Sequence, residues 1–149
     1  MFEPLNEHLI TEFETCLAEP APAGRKKEQV VQEFLEANTV LIPTPHRLNH
    51  GLHFKSIISK FPITSGLETD YVYLSKSSGS WQITFVELES PDKSIFTGAT
   101  KTVQPSAEFQ QAVSQIEDWR TYLSENKQEI LNRLSPLIQP MSRNPINFK

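Results

Sequence analysis

Thr69-Asp70-Tyr71-Val72-Tyr73-Leu74-Ser75, then Lys76-Ser77-Ser78-Gly79-Ser80, then Trp81-Gln82-Ile83-Thr84-Phe85-Val86-Glu87-Leu88-Glu89, is the stretch whose reading decides the fold. Two β-rich runs flank a Ser/Gly turn, the pattern of an antiparallel hairpin over 69–75 and 81–89. With Ser78-Gly79 as a two-residue loop, counting outward opposes Leu74 to Ile83, Val72 to Phe85 and Asp70 to Glu87. Alternation then puts Glu87 and Glu89 on one face, and Asp70 joins them there as long as this register holds. Acids on an apolar strand are costly unless a cation, a hydrogen-bond network or solvent compensates them. A divalent metal does this well, and solvated acids at a strand end are the ordinary alternative.

Outward from the hairpin, residues 26–37 read as a helix with Val30, Val31, Phe34 and Leu35 inward and Glu28, Gln32 and Glu36 on a polar side. Leu5, Leu9, Phe13 and Leu17 form an earlier helical stripe that docks either on this domain or on a partner, and Pro20, Pro22 and Gly24 break it. The expected division is therefore a leading helix and linker over 1–24 and one domain over 25–149. Between them and the hairpin the pattern blurs; Val40-Leu41-Ile42 reads as a short strand before Pro43 and Pro45. His46, His50 and His53 have helical ligand spacing, but Gly51 and the prolines oppose a helix and no cysteine completes a zinc set, so they read as loop histidines. One of these histidines, or nearby Arg47 and Lys55, could still meet a phosphate.

Beyond the hairpin, an irregular stretch leads to Pro105 and a helix over 106–123, with Phe109, Ala112, Ile116, Trp119 and Leu123 on its apolar stripe. Gln115 sits one turn before Trp119; Trp119 reads as core, while Gln115 needs polar company if buried. A last helix over 127–138 carries Ile130, Leu131, Leu134 and Leu137, with Pro136 as a kink or boundary. Phe34, Leu35, Val72, Phe85, Ile116 and Trp119 are expected to be largely buried.

With 149 residues and 38% hydrophobic content the chain can build a core without disulfides, and its single cysteine, Cys16, suits a reducing cytoplasm. No apolar run reaches the ~18 residues of a membrane span. A net charge of -4 opposes a protein that coats nucleic acid through bulk charge, yet leaves room for an enzyme that engages it at one groove.

The ordered set of Glu28-Gln29-Val30-Val31-Gln32-Glu33-Phe34-Leu35-Glu36-Ala37-Asn38, Asp70, Val86-Glu87-Leu88-Glu89-Ser90-Pro91, Ile95-Phe96-Thr97, Gln104-Pro105-Ser106-Ala107-Glu108 and Gln115-Ile116-Glu117-Asp118-Trp119-Arg120 resembles the nuclease domain of the Shedu antiphage defence proteins. These are a branch of the PD-(D/E)xK nuclease superfamily. The resemblance implies a mixed α/β, restriction-endonuclease-like core, a central mixed sheet flanked by helices, here either a fragment or short version without the family's last strands or one whose sheet a partner completes. It also implies a homo-oligomer that hydrolyses nucleic-acid phosphodiesters, DNA before RNA, with Mg2+ or Mn2+. Asp70 and Glu87 would bind the metal, with the backbone carbonyl of Leu88 joining them and Glu28 (or else Glu33) adding an acid from the first helix. Glu89 stands where most of the superfamily has lysine, and would serve as ligand or base, with Lys93 and Lys101 as nearby cations. Gln115 followed by Trp119 is similar to the Gln-x-x-x-Tyr feature of some of these nucleases, with Trp for Tyr. The competing class is a degenerate nuclease fold that binds nucleic acid or a protein partner without cutting.

Overall fold

The computed structural model describes residues 6–98 and 102–138. Its elements run α1 (Glu7–Ala18), α2 (Lys27–Ala37), β1 (Ile58–Pro62), β2 (Glu68–Lys76), β3 (Trp81–Val86), α3 (Ala107–Glu125) and α4 (Lys127–Ile138). The fold is mixed α+β, and its described strands form one antiparallel sheet in the order β1-β2-β3 rather than the expected mixed sheet. Successive strands joined by short turns can pair only antiparallel, because a parallel partner needs a long crossover.

The hairpin has the register expected from its loop: Leu74 faces Ile83, Val72 faces Phe85, and Ser77 N–H donates to the Ser80 carbonyl at 2.9 Å to close the turn. Alternation along β2 sends its side chains into two cores. Val72 and Leu74 join Phe61, Ile63, Trp119, Ile130 and Leu134 on the α3/α4 side, whereas Tyr71 joins Val31, Leu35 and Ile42 on the α2 side. The sheet is thus the middle layer between two helix pairs, and β2 is buried from Thr69 to Ser75.

Helix α1 packs on this second core through Phe13, Cys16 and Leu17, and Phe13 stacks on Phe34 with ring centroids 5.7 Å apart. Leu5 of its expected stripe lies outside the described residues. Buried Lys27 ties α1 to α2 by donating to the carbonyls of Cys16, at 2.5 Å, and Glu19, which meets the unpaired acceptors at the end of α1. Ser106 caps α3 by accepting from Phe109 N–H at 3.0 Å. Pro136 lies inside α4.

Two expectations are corrected. Thr39–Leu41 forms a 3-10 turn rather than a strand, delivering Ile42 to the core ahead of Pro43. The strand lies later, at β1, where Lys60 has a φ of 50°. This left-handed residue breaks the alternation, so that Ile58 and Phe61, three apart, reach the same core and no two-residue period survives in the sequence. Finally, Ile116 is 43% exposed, with Phe109 and Val113 beside it on α3. The helix meets the sheet through Trp119, Tyr122 and Leu123 in its second half, and its first half extends past that contact. Of the other expected core residues, Leu35, Val72 and Trp119 are buried and Phe34 and Phe85 half-buried.

Trp119 is 2% exposed, and its indole N–H finds no hydrogen-bond partner among the described residues. Trp119→Ala should therefore cost about 3–5 kcal/mol in urea unfolding. Trp119→Phe should cost less than about 1.5 kcal/mol, because losing an unpaired buried donor offsets part of the lost contact area. Equal losses in the two variants would show that the indole N–H is satisfied.

Candidate functional site

The β2–β3 ladder carries Asp70 and Glu87 to its end, one step past the Tyr71–Val86 pair. There the backbone N–H of Asp70 donates to Glu87 Oε2 at 3.3 Å, and Leu88 N–H donates to Asp70 Oδ2 at 2.8 Å. Two further side chains close on the pair. Gln115, on the inward side of α3, donates through Nε2 to Glu87 Oε1 at 2.7 Å. Lys60 of β1 places Nζ 2.7 Å from Asp70 Oδ1. Because Ser59 pairs with Tyr71 and Phe61 with Thr69, Lys60 stands directly across from Asp70.

Burial differs across the cluster, and the electrostatics follow it. The Asp70 side chain is 8% exposed while that of Lys60 is 47% exposed, so the lysine covers a buried acid from the solvent side. Burial pushes the Glu87 carboxyl up, the negative charge of Asp70 pushes it further, and the bonds from the Asp70 amide and Gln115 with the charge of Lys60 only partly restore it. Its pKa stands at about 7. Burial pulls Lys60 down, but the hydrogen bond and charge of Asp70, aided by Glu68 and Glu87, hold it above the usual lysine range.

The other sequence candidates lie elsewhere. Glu89 does not join the acid pair; it is ion-paired with Lys93. The reason is that β3 ends at Val86, so strict alternation no longer carries Glu89 to the face of Glu87, while Leu88 turns its side chain to the α2-side core. Leu88 meets Asp70 through its amide. Glu28 is half-buried in the first turn of α2, where its charge acts on Lys93, and exposed Glu33 pairs with Arg25. Lys101 lies outside the described residues. His50 approaches Ser78 at 3.4 Å, whereas His53 packs edge-on to Trp81 and bonds the Leu137 carbonyl at 3.1 Å. Among the described residues no group of three or more His, Cys, Asp or Glu side chains converges as a metal site.

Sequence reasoning missed Lys60, because its strand lacks alternation and its contact with Asp70 crosses a hairpin the pattern did not show. A spacing argument outward from Asp70 through Gly66 would have been the available signal.

Two carboxylates suffice for Mg2+, which keeps several waters and uses one or two protein acids with substrate phosphate. Each oxygen of Asp70 and Glu87 takes one protein donor, and a carboxylate has about four lone-pair sites, so acceptor capacity remains on both. The donor set fits a hard divalent cation held by Asp70 and Glu87.

No helix among the described residues is long and apolar enough to cross a membrane. Comparison with curated proteins and with solved structures gives no match. The model of the family described as Shedu protein SduA, C-terminal, matches residues 25–149, from just before α2 through the hairpin and α3 to the end, and the chain therefore belongs to the Shedu family.

Proposed function

We propose that this chain is a Mg2+-dependent nuclease, with a restriction-endonuclease-like core, that cleaves the phosphodiester backbone of DNA. Membership of the Shedu family implies antiphage defence. The observation that carries the nuclease reading is the Asp70–Glu87 pair, two acids brought to one hairpin end, one of them with its pKa raised to about 7. The order helix, three antiparallel strands, helix, with the acids at the end of the second hairpin, supports the core assignment.

A bound Mg2+ or Mn2+ supplies Lewis acidity, acidifying water and offsetting charge that builds on the phosphate. The protein's own part is to hold and orient. Asp70 is fixed by the rigid Leu88 amide on one oxygen, leaving the other turned toward Lys60. Glu87 is oriented by Gln115 and by the Asp70 amide. Gln115 is therefore a positioning residue, and Gln115→Ala should lower cleavage about 10–100-fold while leaving the fold intact by circular dichroism. A variant that cuts at the wild-type rate would remove Gln115 from the site.

The test of the reading is cleavage of linear, circular and single-stranded DNA, with RNA included, in Mg2+, Mn2+ and excess chelator. Cutting should require metal and vanish with chelator. Cutting that survives chelation would overturn the mechanism. The partners proposed with this reading are DNA and further copies of the chain, in the cytoplasm. One observation favours a second reading: every oxygen of the acid pair is already bonded within the protein, as in a purely structural polar network. That reading, a non-catalytic binding module, predicts no Mn2+ binding at Asp70 and Glu87.

A further inference from the structure

We infer that Lys60 is a tethered counter-ion that divalent metal displaces from Asp70 and that then serves the substrate phosphate; this rests on the nuclease reading above. The inner oxygen of Asp70, Oδ2, is held by the backbone amide of Leu88, which cannot leave without moving the chain. The outer oxygen, Oδ1, is held by Lys60, whose side chain is 47% exposed against 8% for Asp70. A cation arriving from solvent therefore reaches Asp70 at the oxygen that Lys60 occupies. Two positive charges cannot share that oxygen closely without strong repulsion.

The surroundings suit an exchange. Lys60 also lines an open groove of about 460 Å3 between α2 and β1, walled by Gln29, Gln32 and Ser59. The groove's other charges are engaged there, Arg25 with Glu33 and Glu36 with Gln32. A flexible four-carbon stem can thus move its ammonium off Asp70 and remain beside the site. Phosphate bound to a cation on Asp70 and Glu87 would lie within reach of that ammonium, since Lys60 is rooted directly across from Asp70. The left-handed backbone of Lys60, φ 50°, is disfavoured for a residue with a Cβ, and such conformations cluster where function holds them.

The experiment is calorimetric titration of Mn2+ into the substrate-free chain, wild type, Lys60→Met and Lys60→Arg, with cleavage measured at saturating Mn2+ and folding checked by circular dichroism. Lys60→Met should bind Mn2+ about tenfold more tightly, because the competing charge is gone, yet cut at least about tenfold more slowly once saturated. Lys60→Arg should bind Mn2+ within about threefold of wild type. Should Lys60→Met fail to fold, Lys60→Gln carries the same two expectations, since it keeps a donor for Asp70 without the charge. Unchanged or weaker Mn2+ binding in a folded neutral variant would overturn the displacement and leave Lys60 a structural partner of Asp70. Tighter binding with undiminished cleavage would overturn the phosphate role. A wild-type protein that cuts with Mn2+ while the variants miss these expectations sinks only the Lys60 inference; one that binds no Mn2+ sinks the nuclease reading with it.

Discussion

Glu87→Gln is expected to make the metal-free protein more stable above pH 7 while abolishing metal-dependent cleavage. The folded protein holds Glu87 with a pKa of about 7, against a usual carboxylate value of about 4.3. Between those values the folded chain binds more protons than the unfolded chain, so stability falls as pH rises from about 4.5 through 7. Above that window the whole penalty is present. Half exposure discounts it for solvent screening, leaving on the order of 2 kcal/mol. Glutamine carries no charge at any pH and still accepts one of the two hydrogen bonds from Gln115 and Asp70, so part of the penalty is recovered. A gain of roughly 1 kcal/mol, or about 2–4 °C in melting temperature, is expected at pH 8 in chelator, shrinking to nothing near pH 4. Mg2+ should raise the melting temperature of the wild type and not of the variant, because only the wild type keeps both acids. Destabilisation by Glu87→Gln at both pH values would show that Glu87 is an ordinary structural acceptor.

Asp70→Asn should abolish cleavage as well, by more than about a hundredfold, but with the opposite effect on stability. The Asp70 side chain is 8% exposed and takes a charge-assisted bond from Lys60 on one oxygen and an amide on the other. An asparagine must turn its NH2 toward one of these donors, leaving a buried group facing a like partner. A loss of about 1–3 kcal/mol follows, moderated because Lys60 can turn to water. Urea unfolding of the two single variants and the double variant at pH 8 measures this. The two changes should not add, since the Asp70 charge is one cause of the raised Glu87 pKa. An Asp70→Asn protein that cuts DNA at the wild-type rate would remove Asp70 from the metal site.

Residue pattern alone determined the hairpin, its register and the meeting of Asp70 with Glu87, because a two-residue turn and strict alternation are local rules that tertiary packing had no reason to override. The helices were legible for the same reason: α2, α3 and α4 have breaks and apolar stripes of their own, although Pro105, read as suiting the first turn of α3, lies just before its Ser106 cap. Tertiary structure decided the rest. Strand β1 became a strand because β2 offered it an edge, and Lys60 entered the site by crossing to Asp70 in a backbone conformation that no periodicity encodes. The ladder's end at Val86 separated Glu89 from Glu87 and gave it to Lys93, although the Glu-x-Glu spacing set the two acids on one face. The exposure of Ile116 was likewise a matter of where α3 crosses a sheet of limited width. Spacing along a chain fixes which side chains share a face, but the length of an element and the neighbour opposite it depend on contacts distant in sequence.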